Sequence, residues 1–125
     1  MRPTAIAATL CLSVAISSAA DAYAFNTAFL REAPIAFFSK DDLDLFRDTV
    51  MLALVRNADG ETTKWKSSTT DSNGEITPLD THEVDGAACR RTRIVNRAKG
   101  REGTGVYELC RQEDGDWKVV NRVGQ

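Results

Sequence analysis

Two cysteines in the last third of the chain constrain its fold more than any other feature. Cys89 and Cys110 stand on either side of Lys99-Gly100, a dipeptide that favours a tight turn. Opposing residues of an antiparallel hairpin have a constant sum of residue numbers, so a turn at Lys99-Gly100 sets Cys89 opposite Cys110. The same register sets Arg91 opposite Glu108, which is an attractive cross-strand pair. We therefore predict a hairpin that is closed by a Cys89–Cys110 disulfide.

The first 24 residues have the pattern of an export signal. Arg2 gives a positive start, Ala5–Ala20 is apolar or small, and Ala22-Tyr23-Ala24 matches an A-x-A cleavage site. We expect residues 1–24 to be a signal peptide that is cleaved and removes Cys11 with it. The two cysteines that stay behind then belong to a chain made for an oxidising compartment. This favours a structural disulfide over free or redox-active thiols.

A helix is predicted near the start of the exported chain. Residues 25–38 form an apolar lead-in, and residues 39–125 form the predicted domain. The Ser39 hydroxyl can cap a helix that follows it, and Asp42 can complete a capping box. Apolar residues then recur at helical spacing on the face expected to pack against a sheet: Leu43, Phe46, Val50 and Leu54.

The pattern changes from helical to extended after the segment Asn57–Gly60, where we expect the helix to end. The predicted strands are Glu61–Ser67, Gly74–Leu79, Ala88–Arg97, Thr104–Gln112 and Asp116–Asn121. We predict an α+β fold, in which one N-terminal helix packs on a four- to five-stranded antiparallel meander sheet with one disulfide. The hairpin register places Ile94, Tyr107 and Leu109 on the face toward the helix.

Several short motifs in the second half resemble a known family, the bacterial seventeen-kilodalton surface antigen type. The β-domain of that family is similar in the order and approximate spacing of five elements: Trp65, Asn73–Pro78, Cys89-Arg90, Cys110-Arg111 and Asp114–Trp117. The resemblance covers Leu43–Val120. It implies an exported, envelope-associated, antigen-like domain without an established catalytic role.

The chain departs from the full architecture that the resemblance implies. Members with that architecture resemble lipoproteins, with a lipidated cysteine and a glycine-rich hydrophobic segment before the β-domain. Leu10 before Cys11 is not the small residue that a lipidation signal needs, and the region before the helix contains no glycine. We therefore expect a periplasmic protein, with secretion or outer-membrane association as the alternatives.

Residues suited to catalysis or metal binding are sparse. His82 is the single histidine, and no nucleophile motif accompanies it. On an extended segment Asp80 and His82 share one face while Glu83 and Asp85 share the other, so the four do not converge. We expect no catalytic residue, no metal and no cofactor. A hydrolase would require Asp80, His82 and another carboxylate to meet in a pocket.

Charge separates the two halves of the exported chain. Residues 25–85 hold six Lys or Arg against twelve Asp or Glu, whereas residues 86–125 hold nine against five. Six cations fall on the predicted hairpin and could attract an anionic envelope component, either a lipid or a glycan: Arg90, Arg91, Arg93, Arg97, Lys99 and Arg101. The alternative is a surface whose acidic and basic halves pair. Nucleic acid is not expected, because strand alternation sends these arginines to both faces and aromatic residues are sparse.

The two tryptophans and the loop Ser67–Asn73 are further candidate binding features. Trp65 and Trp117 are interpreted as core anchors, with stacking on a sugar or peptide as the alternative. We predict a non-enzymatic binding or structural protein of the envelope or periplasm, whose partner is an anionic component or a protein. A small enzyme inhibitor that presents the loop Ser67–Asn73 is the alternative. No segment after the signal approaches the roughly 20 apolar residues of a transmembrane span, and nothing in the sequence specifies an oligomeric state.

Overall fold

A computed structural model describes residues 33–124, so the predicted signal peptide and residues 25–32 of the lead-in lie outside the described part. Its elements are a 3₁₀ turn Pro34–Phe37, helix α1 Lys40–Arg56 and the strands β1 Thr63–Lys66, β2 Asn73–Val84, β3 Ala87–Ala98, β4 Arg101–Arg111 and β5 Trp117–Gly124. The strands pair in chain order, and every pair is antiparallel. The predicted α+β meander is confirmed.

Helix α1 begins where its capping residues predict. Ser39 Oγ accepts a hydrogen bond from the Asp42 amide at 3.1 Å, and Asp42 Oδ2 accepts one from the Ser39 amide at 3.2 Å. This completes the capping box and satisfies two amides that the helix itself leaves without partners. The C-cap is Asn57, within the predicted segment.

Strand β2 is longer than predicted. It continues to Val84 instead of ending at Leu79, because the pairing with β3 shifts by one residue at Leu79 and then resumes. Pro78 is opposite Thr92 before this irregularity. A bulge beside a proline is a common arrangement, since proline has no amide proton to give to the ladder.

The β3–β4 hairpin has the predicted register. Cys89 is opposite Cys110, and the two are joined by a disulfide with 4.1 Å between their Cα atoms. The turn uses only Lys99 and Gly100, both with positive φ, which matches the twist of a two-residue hairpin. Strand β4 therefore starts at Arg101, three residues earlier than predicted.

Helix α1 covers one face of the sheet, which we call the inner face, and we call the opposite face the outer face. Most of the core lies between α1 and the inner face: Val50, Ala53, Leu54, Ile76, Ile94 and Leu109, with Phe46, Tyr107 and Trp117 packed against them. The prediction that Ile94, Tyr107 and Leu109 face the helix is confirmed.

A second cluster forms around Trp65, which is 5% exposed. The rings of Trp65 and Phe38 meet edge to face with 5.1 Å between their centroids, and Phe46 lies 6.0 Å from the indole. Phe38 belongs to the lead-in, so the end of that segment packs onto the domain. Core packing is the interpretation that the sequence favoured for Trp65.

The loop between β1 and β2 is fastened to the start of α1 through Asp42. Asp42 is 1% exposed and accepts a hydrogen bond from Thr70 Oγ1 at 2.7 Å. Burial alone would raise the pKa of this carboxyl, but hydrogen bonds from Ser67, Thr70 and Ser39 outweigh it and lower the pKa to about 2. The loop considered for enzyme inhibition is thus braced against the domain.

Candidate binding cleft and outer-face cluster

A cleft of about 490 Å³ opens on the inner face where α1 ends. The helix end and the residues after it form one wall, and the strands form the other. Its principal residues are Leu54, Asp59, Thr81, Arg90, Arg111 and Trp117. Two candidates that the sequence singled out separately, Arg90 for anions and Trp117 for stacking, therefore line the same cleft.

Arg90 joins strand β3 to the end of the helix. Its side chain is buried, and Nη1 donates to the carbonyl oxygens of Leu54 at 2.8 Å and Ala53 at 3.4 Å. Nη2 donates to the Asn57 carbonyl at 2.8 Å and to Asp59 Oδ1 at 2.9 Å. The last carbonyls of a helix lack intrahelical donors and carry partial negative charge. The Arg90 guanidinium supplies hydrogen-bond donors to these carbonyls and a positive charge beside them. Arg90 Nε has no hydrogen-bond partner among residues 33–124.

Asp59 balances the charge of Arg90. Besides the contact with Arg90, it accepts a hydrogen bond from Thr81 Oγ1 at 2.7 Å. The hydrogen bonds from Arg90 and Thr81 lower the pKa of Asp59, although its partial desolvation acts in the opposite direction. The carboxylate is therefore ionised at neutral pH, and the excess positive charge of the cleft comes from Arg111.

Arg111 and Trp117 form the open rim of the cleft. They are opposite each other across β4 and β5. Arg111 is exposed and makes no ion pair with any residue of the described range, whereas Trp117 is half-buried against the core. The sequence singled out Arg111 only as part of the Cys110-Arg111 motif. The turn signal Asp114-Gly115 could have placed it beside Trp117.

Two of the hairpin arginines are held by carboxylates on the outer face. Arg91 Nε donates to Asp80 Oδ2 at 2.6 Å. Arg97 contacts Glu102 at 3.0 Å and Glu75 at 3.1 Å, and hydrogen bonds to these two carboxylates raise the pKa of Arg97 despite its partial burial. These pairs neutralise part of the charge that the sequence concentrates on the hairpin.

The other hairpin cations are dispersed. Arg93 is exposed on the outer face and has no ion pair within the described part of the chain. Lys99 lies in the turn, where its amide donates to Asp71 Oδ2 at 3.1 Å. The Arg101 guanidinium lies over the Phe37 ring, 5.3 Å from the centroid. The six predicted cations therefore do not share one surface, since Arg90 and Arg101 lie on the inner face, whereas Arg91, Arg93 and Arg97 lie on the outer face.

His82 lies on the outer face between two carboxylates. Its Nε2 is 2.6 Å from Glu108 Oε1, and its Nδ1 is 3.4 Å from Asp80 Oδ1. Asp80 and His82 share a face, as their spacing indicates, but Glu108 approaches from β4 across the intervening strand and was not anticipated. The three side chains meet on partly exposed sheet surface, outside the cleft that a hydrolase would need.

Comparison with known families identifies the kind of domain. Residues 53–118 match the family model described as 17 kDa outer membrane surface antigen. The chain belongs to this family. The match begins in the last turn of α1 and includes the disulfide, the cleft and the start of β5, so it confirms the resemblance noted in the sequence. Membership indicates an exported or envelope-associated protein.

The match to the surface antigen family is a match to a family model. Comparison with curated proteins and comparison with solved structures each gave no match. Within residues 33–124, no helix is long and apolar enough to cross a membrane.

Proposed function

We propose that this surface antigen domain is a non-enzymatic, exported binding protein of the cell envelope that holds an anionic ligand in the cleft at the end of α1. The observation that carries the proposal is the pair Arg111 and Trp117 on the rim. A guanidinium binds carboxylates and phosphates through two parallel hydrogen bonds. A neighbouring indole adds an apolar surface with a polar edge, which suits a ring that carries an anionic group.

The charges of the cleft support an anion more than a cation. The charge of Arg90 is offset by Asp59 and by the helix-end carbonyls, so it fixes the cleft wall and contributes little net attraction. Arg111 has no such partner within the described residues and is available to a ligand. A cavity of about 490 Å³ also falls within the size range of ordinary ligand sites.

An acidic glycan fits these groups better than a lipid headgroup. A sugar ring offers a face that can stack on Trp117 while its carboxylate or phosphate pairs with Arg111. A lipid phosphate would use the cation but not the indole. We therefore place the site of action in the periplasm or at the envelope surface, where such glycans occur.

The test compares two exposed arginines, Arg111 and Arg93, that have no ion pair with residues 33–124 and lie on opposite faces of the sheet. The oxidised protein is titrated calorimetrically with a uronic-acid oligosaccharide and, separately, with phosphatidylglycerol vesicles. We expect the oligosaccharide to bind, to weaken with added salt, and to lose at least about tenfold in affinity in Arg111→Ser, as expected for a charge-assisted hydrogen bond. Arg93→Ser should bind like the wild type.

The other outcomes are equally informative. A loss in Arg93→Ser with normal binding in Arg111→Ser would move the site to the outer face of the hairpin. Binding of vesicles alone would replace the glycan by a lipid phosphate. If neither probe binds, anion binding is rejected. Capture of one envelope protein by both variants, lost when Thr69 in the braced loop is changed to Arg, would favour the inhibitor alternative.

A further inference from the structure

We infer that reduction of the Cys89–Cys110 disulfide creates a site for a thiophilic divalent metal ion of the Zn²⁺ type on the outer face, with His82 and Glu108 as the other ligands. The observation behind it is a convergence of donor atoms. One ligand atom each from His82, Cys89 and Glu108 lie within 4.8 Å of one another. The inference does not use the cleft and is independent of the proposed function.

The strand register brings these four side chains to one face. His82 of β2 is opposite Cys89 of β3, and Cys89 is opposite Cys110 of β4. Glu108 precedes Cys110 by two residues, so it projects from the same face of β4. Three adjacent strands thus supply a nitrogen, two sulfurs and an oxygen, and no loop has to close to assemble them.

The spacing of the donors suits a tetrahedral ion after small movements. Zinc binds sulfur at about 2.3 Å and nitrogen or oxygen at about 2.0–2.2 Å, so donors around one ion lie roughly 3.3–3.8 Å apart. His82 Nε2 and Glu108 Oε1, now 2.6 Å apart, would separate slightly to admit the ion in place of the proton between them. The sulfurs would separate once their bond is broken.

The charges of the site are compatible with occupancy. Two thiolates and one carboxylate bring three negative charges to an ion with two positive charges. Arg91 lies on the same face next to Cys89, and Lys118 is opposite Cys110. Because Arg91 is already paired with Asp80, Lys118 is the cation that can balance the one excess negative charge, although it opposes the approach of the metal.

The disulfide and the metal exclude each other because they use the same sulfurs. With a phosphine as reductant, two electrons pass from phosphorus to the S–S bond. Water supplies the oxygen of the phosphine oxide, and its two protons end on the Cys89 and Cys110 thiols. Metal binding then releases those two protons, since thiolates are the ligands. The site exists only in a chain whose cysteines are not yet oxidised or have been reduced.

The experiment uses the purified chain with Cys11→Ser, reduced anaerobically with tris(2-carboxyethyl)phosphine and titrated with Co²⁺ as a spectroscopic substitute for Zn²⁺. We expect one ion per chain, thiolate-to-cobalt charge-transfer absorption, visible bands typical of a tetrahedral ion, and displacement by Zn²⁺. The oxidised protein should show none of these. His82→Gln and Glu108→Gln should each weaken binding by about tenfold or more, whereas Glu102→Gln, on the same face of β4, should leave it unchanged.

Far-ultraviolet circular dichroism of the same samples separates a built site from binding by an unfolded chain. If the reduced chain unfolds and the metal restores the native spectrum, the inference is supported, because binding is then coupled to folding. Absence of the charge-transfer band would overturn the inference. So would binding without native structure, or equal affinity in His82→Gln, Glu108→Gln and Glu102→Gln.

Discussion

Replacing Arg90 by methionine tests the connection between strand β3 and the end of helix α1. Methionine keeps much of the apolar stem but removes every donor. The carbonyls of Leu54 and Asn57 would then lose their hydrogen bonds at 2.8 Å, and Ala53 would lose a longer one at 3.4 Å. Arg90→Met therefore leaves the Leu54 and Asn57 carbonyls without the donor that now satisfies them, whereas the Ala53 carbonyl still accepts the Asn57 amide at 3.0 Å.

The magnitude follows from these contacts. A buried acceptor that loses its donor costs about 1–3 kcal/mol, and we take the lower end because water can enter from the cleft. The side chain of Asp59 is 47% exposed, so its ion pair with Arg90 adds little to the free energy of unfolding, because solvent screens exposed ion pairs. The two carbonyls left without a donor, those of Leu54 and Asn57, then give a loss of about 2 kcal/mol in the free energy of unfolding. For a domain of this size, that corresponds to a fall in Tm of roughly 8–16 °C.

Urea unfolding followed by circular dichroism measures this loss, with Arg91→Met as the matched control. Arg91 is the next residue of the same strand but points to the outer face, where its exposed pair with Asp80 should be worth at most about 1 kcal/mol. In Arg90→Met the pKa of Asp59 should also rise toward its ordinary value, because Arg90 is the main cause of its lowering. Equal losses in the two variants would refute the proposed role of Arg90.

Three further predictions concern stability. A Cβ on Gly74 would collide with the Val95 carbonyl oxygen and lie 2.6 Å from Trp65 Nε1. Gly74→Ala should therefore lower the free energy of unfolding, measured in urea, by about 1–3 kcal/mol. An unchanged urea midpoint would contradict the close packing at Gly74. Asp42 has a folded-state pKa of about 2 against an ordinary value of 3.8, so its contribution is complete above pH 3.8 and is lost as the pH falls toward 2. Between pH 3.8 and 2, the free energy of unfolding of Asp42→Asn should therefore fall less than that of the wild type. If the two curves of unfolding free energy against pH superimpose, Asp42 makes no such contribution. The two cysteines of the disulfide are 21 residues apart in the sequence. The Cys89→Ala, Cys110→Ala double variant should therefore lose about 3 kcal/mol in the free energy of unfolding, measured in the presence of a chelator. A loss below about 1 kcal/mol would show that the crosslink adds little stability.

The features that the sequence predicted well are those decided by neighbouring residues. Ser39 and Asp42 specify the helix start through hydrogen bonds that span three residues. Lys99-Gly100 adopts the positive φ values of a two-residue turn, and the register of the whole β3–β4 hairpin follows from that turn. The disulfide was predictable for the same reason.

The parts of the site that the sequence did not predict depend on distant pairings. Arg90 and Arg91 look alike in the sequence, yet one is buried against helix carbonyls and the other pairs with an exposed carboxylate. Their roles depend on the position of the helix end, more than 30 residues away along the chain. The contact between His82 and Glu108 likewise crosses a strand and depends on two registers together.

The irregularity at Leu79 decides which face carries His82. Pro78 is opposite Thr92, and a continuous register would therefore place Asp80 opposite Arg90 and His82 opposite Ala88, on the inner face beneath the end of α1. The extra residue instead sets Asp80 opposite Arg91 and His82 opposite Cys89. A one-residue change of register exchanges the two faces of a strand, so both side chains move to the outer face.

The same change of register places on each face of the sheet the side chains that its proposed site uses: Thr81 on the inner face and His82 on the outer face. Thr81 is turned toward the cleft, where it donates to Asp59 and helps to keep that carboxylate against Arg90. The cleft thus gains a neutral hydroxyl and loses a histidine and a carboxylate, which favours binding over acid–base chemistry. The outer face gains an imidazole beside Cys89, without which the reduced cysteines would have no nitrogen ligand close by. The proposed anion cleft and the proposed metal site therefore both depend on the one extra residue that the irregularity places in β2.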